Sequence, residues 1–335
     1  MQVTAKGLTR ELGYVGYYGE VLDWVSAIYD ATRPEPGKPG DELIRQQLVK
    51  LALARAIFRY PALDADGCQA MRIESQVGWR DTHYPGNVCY LQRATRDGSP
   101  LMAAAATLDK TCIAYCQQML AEGQFFSQIE GKMQEGGLRV TAGSLSTPDE
   151  YETITRQPAS AGKMPMSNGQ PDFVFTDEED GVVAAKHGDE IFYASLYWRA
   201  RHAVNFLAKV HLISPTIERV ATVKEDILFT PSLSSYTRKD WINEGFGNGG
   251  PKYPMPPNSA LAGEQLPIAE IPAGVKYKTG DENIYAGRGD LYTLRYGSWF
   301  VAMNMSATKS FDVAVPGGAA FKTVGGNGAT APSKI

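Results

Sequence analysis

The feature that most constrains this chain is a change of hydrophobic period at Gly136-Gly137. Before it, apolar residues recur every three or four positions, as along one face of a helix. After it, they alternate with period two, as along one face of a strand. Few helical patterns follow the change, so antiparallel pairing is expected rather than βαβ crossovers. The fold class this predicts is α+β with segregated halves. A helical domain is expected over 1–136, an antiparallel β domain over 137–316, and a Gly- and Ala-rich flexible tail over 317–335. A chain of 335 residues is long enough for two domains.

In the helical half, Val15, Tyr18, Leu22, Val25 and Tyr29 form one apolar stripe. Pro34, Pro36 and Pro39, mixed with Gly37 and Gly40, end that helix. Asp41 caps the next helix, whose stripe is Ile44, Leu48, Leu51 and Phe58 and which stops before Pro61. A third helix is expected from Ser99 to Glu135, with Leu101, Ala105, Leu108, Cys112 and Met119 on its stripe and a break at Gly123. The connection between the second and third helices, DADGCQAMRIESQVGWRDTHYPGNVCYLQ, has no long apolar period. Connections of this length are usually functional or disordered. Its aromatic residues argue for order.

In the second half, strands are expected at 138–144, 173–176, 181–185, 191–201, 204–213, 217–229, 291–304 and 311–315. The stretch 231–290 is rich in Gly, Pro and Asn and reads as a long ordered loop with room for one short strand. In 191–201, period two puts Phe192, Ala194, Leu196, Trp198 and Ala200 on a core face. The alternate set is Tyr193, Ser195, Tyr197, Arg199 and Arg201. Such a face has three uses: ligand contact, packing against the helical half, or a solvated outer surface.

Several function classes are excluded or left open. A net charge of −4 gives no basic field to hold nucleic acid. No stretch has the length and apolarity of a membrane span. The opening MQVTAKGLTRELGYVGYYGE lacks the compact apolar segment of a secretion signal, and Ser333-Lys334-Ile335 is one residue from the peroxisomal tripeptide, so localisation stays open. Cys112 and Cys116 share a helix face and read as buried thiols; with Cys68 and Cys89 they make no zinc spacing. The acidic run TDEEDG lacks the alternation of a calcium loop, and GFGNGG follows no strand–helix pattern. No cofactor is expected.

Three groups of residues carry a family resemblance. GYVGYYGEVLDWVSAIYDATR looks like a toroid helix with aromatic residues at its inner end, and GWRDTHYPGN looks like a cleft loop. DGVVAAKHGDEIFYASLYW and YGSWFVAMNMSATKSFDVAVP look like strands of the accompanying β domain. Together they resemble the polysaccharide lyases that join an α/α toroid to β-sheets, the heparinase II/III-like and chondroitin lyase group. The resemblance implies helical hairpins forming a partial toroid, then a β-sandwich-type domain, in a C-terminal portion of a longer protein or a minimal relative. It also implies an acidic polysaccharide or oligosaccharide as partner, and an extracellular or periplasmic location. A partial toroid exposes apolar helix faces, which favours self-association.

Lyases of this kind cleave uronate-containing polysaccharide by β-elimination. The carboxylate next to C5 is neutralised, a base removes the C5 proton, and an acid protonates the leaving oxygen. By resemblance, Arg80 and Asn87 partner the carboxylate, His83 is base or neutraliser, Tyr84 is acid or base, and Trp79 stacks on a sugar. Tyr17, Tyr18 and Glu20, at the opening of the first helix, would face the sugar. Tyr193 and Tyr197 would stack or hydrogen-bond, Arg199 and Arg201 would receive carboxylates or sulfates, and His202 follows at the turn. A divalent cation also serves as a neutraliser, although no residue pattern indicates one. Against this stands a structural loop in which Arg80 pairs with Asp81 and His83 caps a backbone group. Two alternatives remain open at the level of function: a glycoside hydrolase using Glu20 or Glu74, with carboxylates about 5–9.5 Å apart, and a non-catalytic carbohydrate-binding or structural module.

Overall fold

The computed structural model describes residues 2–10, 14, 22–63, 69–74, 77, 99–123, 142–197, 202–237, 263–278 and 283–316. Over these residues the chain is α+β, with helices concentrated before the main antiparallel sheets. Among the described residues no helix is long and apolar enough to cross a membrane.

Helix α1 spans Leu22–Ala31 and α2 spans Glu42–Ile57. α2 starts where Asp41 Oδ1 accepts the Ile44 amide at 3.0 Å, satisfying one of the orphan donors of the first turn. It buries Leu48, Leu51 and Ala54. The expected third helix is two helices, α3 (Ser99–Thr107) and α4 (Lys110–Ala121). The apolar period runs through the break, but Asp109 captures the Thr111 and Cys112 amides at 3.0 Å and starts a new helix. Leu108 takes φ 50° to make the corner. α4 ends at Ala121, and Gly123 supplies the left-handed residue beyond it at φ 76°.

A fifth helix, α5 (Ala142–Thr155), lies where residues 142–144 were expected in a strand. Its Ile154 is buried with Leu101, Ala104, Cys112 and Met119 of α3 and α4. Helical structure therefore continues to Thr155, past the boundary expected at 136. The helical half also contains short strands: β1 (Gln2–Val3) pairs with β2 (Thr9–Arg10), and β3 (Arg59–Leu63) pairs with β4 (Gln69–Ile73).

The main sheet has five antiparallel strands in sequence order: β5 (Phe173–Asp177), β6 (Val182–His187), β7 (Glu190–Ser195), β8 (Leu207–Ile213) and β9 (Glu218–Lys224). After Glu225 the chain enters β10 (Asp226–Leu228). β11 (Pro231–Thr237) and β12 (Gln265–Ala269) form a pair inside the stretch expected as a loop with at most one short strand. β13 (Leu291–Tyr296) and β14 (Trp299–Asn304) join β10 in a three-stranded sheet. No described strand covers 311–315.

Period-two alternation gives the main sheet two buried faces. One face puts Val183, Phe192, Ala194 and Val210 into a core with Ile227, Tyr292, Leu294 and Met303 of the three-stranded sheet. There Phe192 stacks on Trp299 with centroids 5.2 Å apart. The other face puts Val182, Ala184, Ile191 and Tyr193 against Leu8, Ala54, Ile57 and Phe58 of the helical half. Burying each large apolar side chain contributes about 1.5–3 kcal/mol, so both faces hold the sheet in place.

Candidate functional site

The helix-facing side of the main sheet is not uniformly apolar. Its register sets Ala184, Tyr193, His211 and Val220 side by side across β6 to β9. The next row is Val182, Ser195, Lys209 and Thr222. Lys209 and His211 share this face because they are two residues apart in a strand, and both are buried.

The β3–β4 hairpin covers His211. Tyr60 of β3 meets the imidazole edge-on at 5.3 Å. Glu74, just past β4, places Oε2 2.5 Å from His211 Nδ1, and both side chains are fully buried. The other Glu74 oxygen, Oε1, accepts the Val77 amide at 3.0 Å. On the far side of the ring, Nε2 lies 3.3 Å from Glu218 Oε1, an ion-pair contact without hydrogen-bond alignment. Tyr60 donates its hydroxyl to Glu218 Oε1 at 3.0 Å, and an Arg72 guanidinium nitrogen lies 3.7 Å from Glu218 Oε2.

The electrostatics follow from this geometry. Desolvation pulls the His211 pKa down, but the Glu74 charge and the contacts with Glu218 and Glu74 outweigh it and hold it at about 9. His211 is therefore an imidazolium at neutral pH and acts as a fixed cation, not as a base. Its contact holds the Glu218 carboxyl below the usual range, helped by Tyr60 and Arg72. Burial, with the charges of Glu74 and Glu218, pushes the Tyr60 phenol well up, so it stays a donor. The cluster reaches solvent through Glu218, whose side chain is 38% exposed, with Arg72 beside it at 13%. Its solvent-facing end is the Glu218 carboxylate with the Arg72 guanidinium beside it, over the buried His211–Glu74 pair.

Three of the residues expected in a lyase site lie in the described chain, and they are not brought together. Tyr193 is fully buried, donates its hydroxyl to the Ile57 carbonyl at 3.0 Å and stacks on Phe58 at 5.6 Å. Of the three uses open to its face, it serves packing against the helical half. Tyr197 does not share that face, as strict alternation required. It lies in the opposite core, 6.2 Å from Tyr292, with its hydroxyl donated to the Ile284 carbonyl. The cause is local: β7 ends at Ser195, and the Leu196 amide bonds the Gly181 carbonyl at 2.8 Å. Gly181, at φ 64°, sits so close that an added Cβ would lie 2.5 Å from Tyr197 Cβ. Leu196 and Tyr197 therefore enter the same core in succession. His202 is half-buried with its ring 4.8 Å from Tyr236, and its carbonyl accepts the Tyr277 hydroxyl at 2.9 Å.

Tyr17, Tyr18, Glu20, Trp79, Arg80, His83, Tyr84, Asn87, Arg199 and Arg201 lie outside the described residues. Glu74 is corrected as a hydrolase carboxylate: it is fully buried and engaged with His211 and Val77. Sequence reasoning passed over Tyr60, Arg72, His211 and Glu218 as site residues. The available signal was in LAKVHLI, where two ionisable groups share one face of a strand whose other face is core. Among the described residues no cluster of His, Cys, Asp or Glu is arranged to hold a metal ion.

No family model matches the chain, and no curated protein or solved structure matches it either. What defines the molecule is its own geometry: an α+β protein with mostly antiparallel sheets and a charged seam between the β3–β4 hairpin and the main sheet.

Proposed function

We propose that this protein is a carbohydrate-active enzyme that cleaves uronate-containing polysaccharide by β-elimination. On this reading the helices are part of a toroid, and the sheets form the β-sandwich-type domain that accompanies it. The supporting observation is the anchoring of Val77 to Glu74, which is itself held by His211. The segment from Trp79 to Asn87 begins two residues later. At roughly 3.6 Å per residue, the Cα of Arg80 lies within about 11 Å of that of Val77, and His83 within about 22 Å. The seam holds Val77, two residues before the segment that carries Arg80, His83, Tyr84 and Asn87, and it includes the Arg72 guanidinium and the Glu218 carboxylate. Arg72 adds a cation for the uronate carboxylate, while His211 and Glu74 act as positioning residues. Base and acid are assigned to His83 and Tyr84. Self-association belongs to the same proposal: Trp24 and Ile28, one turn apart on α1, are 69% and 55% exposed.

The test is incubation with uronate polymers while following absorbance of the unsaturated product. The expected result is product formation by the native chain and none by His83→Ala with its melting temperature unchanged. A new reducing end without unsaturation would mean hydrolysis, binding without turnover would mean a module, and full turnover by His83→Ala would remove its assigned role.

A further inference from the structure

Four sulfur side chains of the helical half converge on one cavity. Cys112, Cys116 and Met119 stand at positions i, i+4 and i+7 of α4, which puts them on one face of that helix. Met164 meets this face from the segment that follows α5, and all four side chains are buried in the same core. They line a common cavity of about 20 Å³, room for a single atom-sized guest. The Cys116 thiol donates to the Pro100 carbonyl at 3.3 Å, and Pro100 lines the same cavity.

The arrangement is held from outside. Gln118 Oε1 accepts the Met164 amide at 2.8 Å, and Gln118 Nε2 donates to Ser167 Oγ at 2.8 Å. Gln117 Oε1 accepts the Ser160 amide at 3.0 Å. Gly162 lies so close to α4 that an added Cβ would be 3.0 Å from Ala114 Cβ. The strap that carries Met164 is therefore fixed on α4 before any guest arrives. Ala52, Pro100 and Tyr115 also line the cavity and are only half-buried, which leaves a way in. Core packing explains a buried thiol or thioether singly, but not two of each around one cavity of this size.

The lining selects the guest. Among the described residues it has no carboxylate and no imidazole; Asp109 and Glu150 act on the thiols from outside it. Its charged members are the buried guanidiniums of Arg55 and Arg59, which disfavour a divalent cation. Thiolates and thioethers are soft donors that favour Cu(I). Two thiolates around one Cu(I) carry a single negative charge, which suits those guanidiniums. We propose that Cys112, Cys116, Met119 and Met164 bind one Cu(I) ion, the cysteines as thiolates and the methionines as thioethers. Without the ion both thiols keep their protons, since burial pushes Cys116 up to about 12 and raises Cys112 as well. Each gives its proton to solvent as its Cu–S bond forms, and the copper keeps its oxidation state. The site stands apart from the elimination chemistry, and its test needs no turnover.

Anaerobic titration of the full chain with Cu(I), in competition with a bicinchoninate chelator, measures the binding, and copper X-ray absorption identifies the ligands. The native chain is expected to take up one ion in an all-sulfur shell. Cys112→Ala/Cys116→Ala is expected to lose that equivalent. Met119→Leu/Met164→Leu keeps the core volume and removes only the thioethers. It is expected to melt within a few degrees of the native chain and to bind Cu(I) at least about tenfold more weakly, which is roughly 1.4 kcal/mol. Zn(II) is expected to bind more weakly than Cu(I). The proposal is overturned by no Cu(I) uptake, by an oxygen or nitrogen shell, or by Zn(II) held as tightly as Cu(I). Undiminished affinity in either double variant overturns it as well.

Discussion

The two faces of the main sheet are both buried, yet they treat charge in opposite ways. The face toward the three-stranded sheet is apolar, and the ionisable group at its margin is Glu225, where the chain crosses from β9 to β10. Glu225 is 1% exposed, and neither carboxyl oxygen has a hydrogen-bond partner. Burial, with the Asp226 charge beside it, pushes its carboxyl well above the usual range, which favours the neutral form. On the other face, Glu74 is just as buried but pairs with His211 at 2.5 Å. Residue type and burial are the same, and the difference lies in the partner. An apolar face accepts a carboxyl by suppressing its charge, whereas the helix-facing side is organised to keep charges. That contrast is why the seam, rather than the larger apolar core, is the place to look for chemistry.

The sharpest way to break the contrast is Glu74→Gln, which leaves the His211 charge buried beside a neutral amide. Breaking a buried pair typically costs about 3 kcal/mol or more, and urea denaturation near pH 6 is expected to show a loss of that order. The pH profile adds a second reading. His211 has a folded pKa of about 9, above its ordinary 6.5. Between those values the folded state holds a proton that the unfolded state has lost. Its contribution is fully present below pH 6.5 and disappears as pH rises through 9, a decline on the order of 3 kcal/mol. In Glu74→Gln this decline should shrink. A loss below about 1 kcal/mol with the decline intact would show that the seam is not a charge network.

The sequence exposed one face of this comparison and concealed the other. Strands β5 to β8 were legible from short apolar runs between turn residues, whereas 217–229 and 291–304 each read as one strand and the structure divides them into β9 and β10 and into the β13–β14 hairpin. β11 was not legible: PSLSSYT has no apolar alternation, most of it is exposed, and Leu233 takes φ 65°. α5 was hidden by AGSLSTPDEYETIT, a weak helix former with Pro148 inside it, which tertiary packing of Ile154 overrides. The break between α3 and α4 was invisible to periodicity because a cap, not a change of period, makes it. The seam was the least legible part. Glu74 and His211 are 137 residues apart, so nothing local announces their pairing. Lys209 and His211 gave the one hint, two charged groups on a face that had to be covered by something polar.

The apolar face offers the next test, with the opposite sign. Glu225→Met replaces an unbonded carboxyl with an apolar side chain of similar length. Removing an unsatisfied buried polar group is expected to raise stability near neutral pH by about 1–2 kcal/mol. In the native chain, Glu225 stays protonated above its ordinary 4.5 while the unfolded chain ionises. Native stability therefore falls as pH rises above 4.5, and the variant should lack that slope. Urea titrations over a pH series separate the two chains. A loss of stability in Glu225→Met would mean that this face also supports a polar partner, and the contrast between the faces would dissolve.

The smallest effect is expected at the open end of the seam. Tyr60→Phe removes the hydroxyl that Glu218 accepts at 3.0 Å. Because Glu218 is 38% exposed, water can replace that donor, and the cost should be about 1 kcal/mol. The Glu218 carboxyl, followed by NMR titration, should move up toward the ordinary range, while His211 still titrates near 9 because Glu74 is untouched. The ordering of the two seam variants is what matters. If strength resides in the buried pair, Glu74→Gln must cost more than Tyr60→Phe; equal costs would move the anchor from the buried end of the seam to its solvent-facing carboxylate.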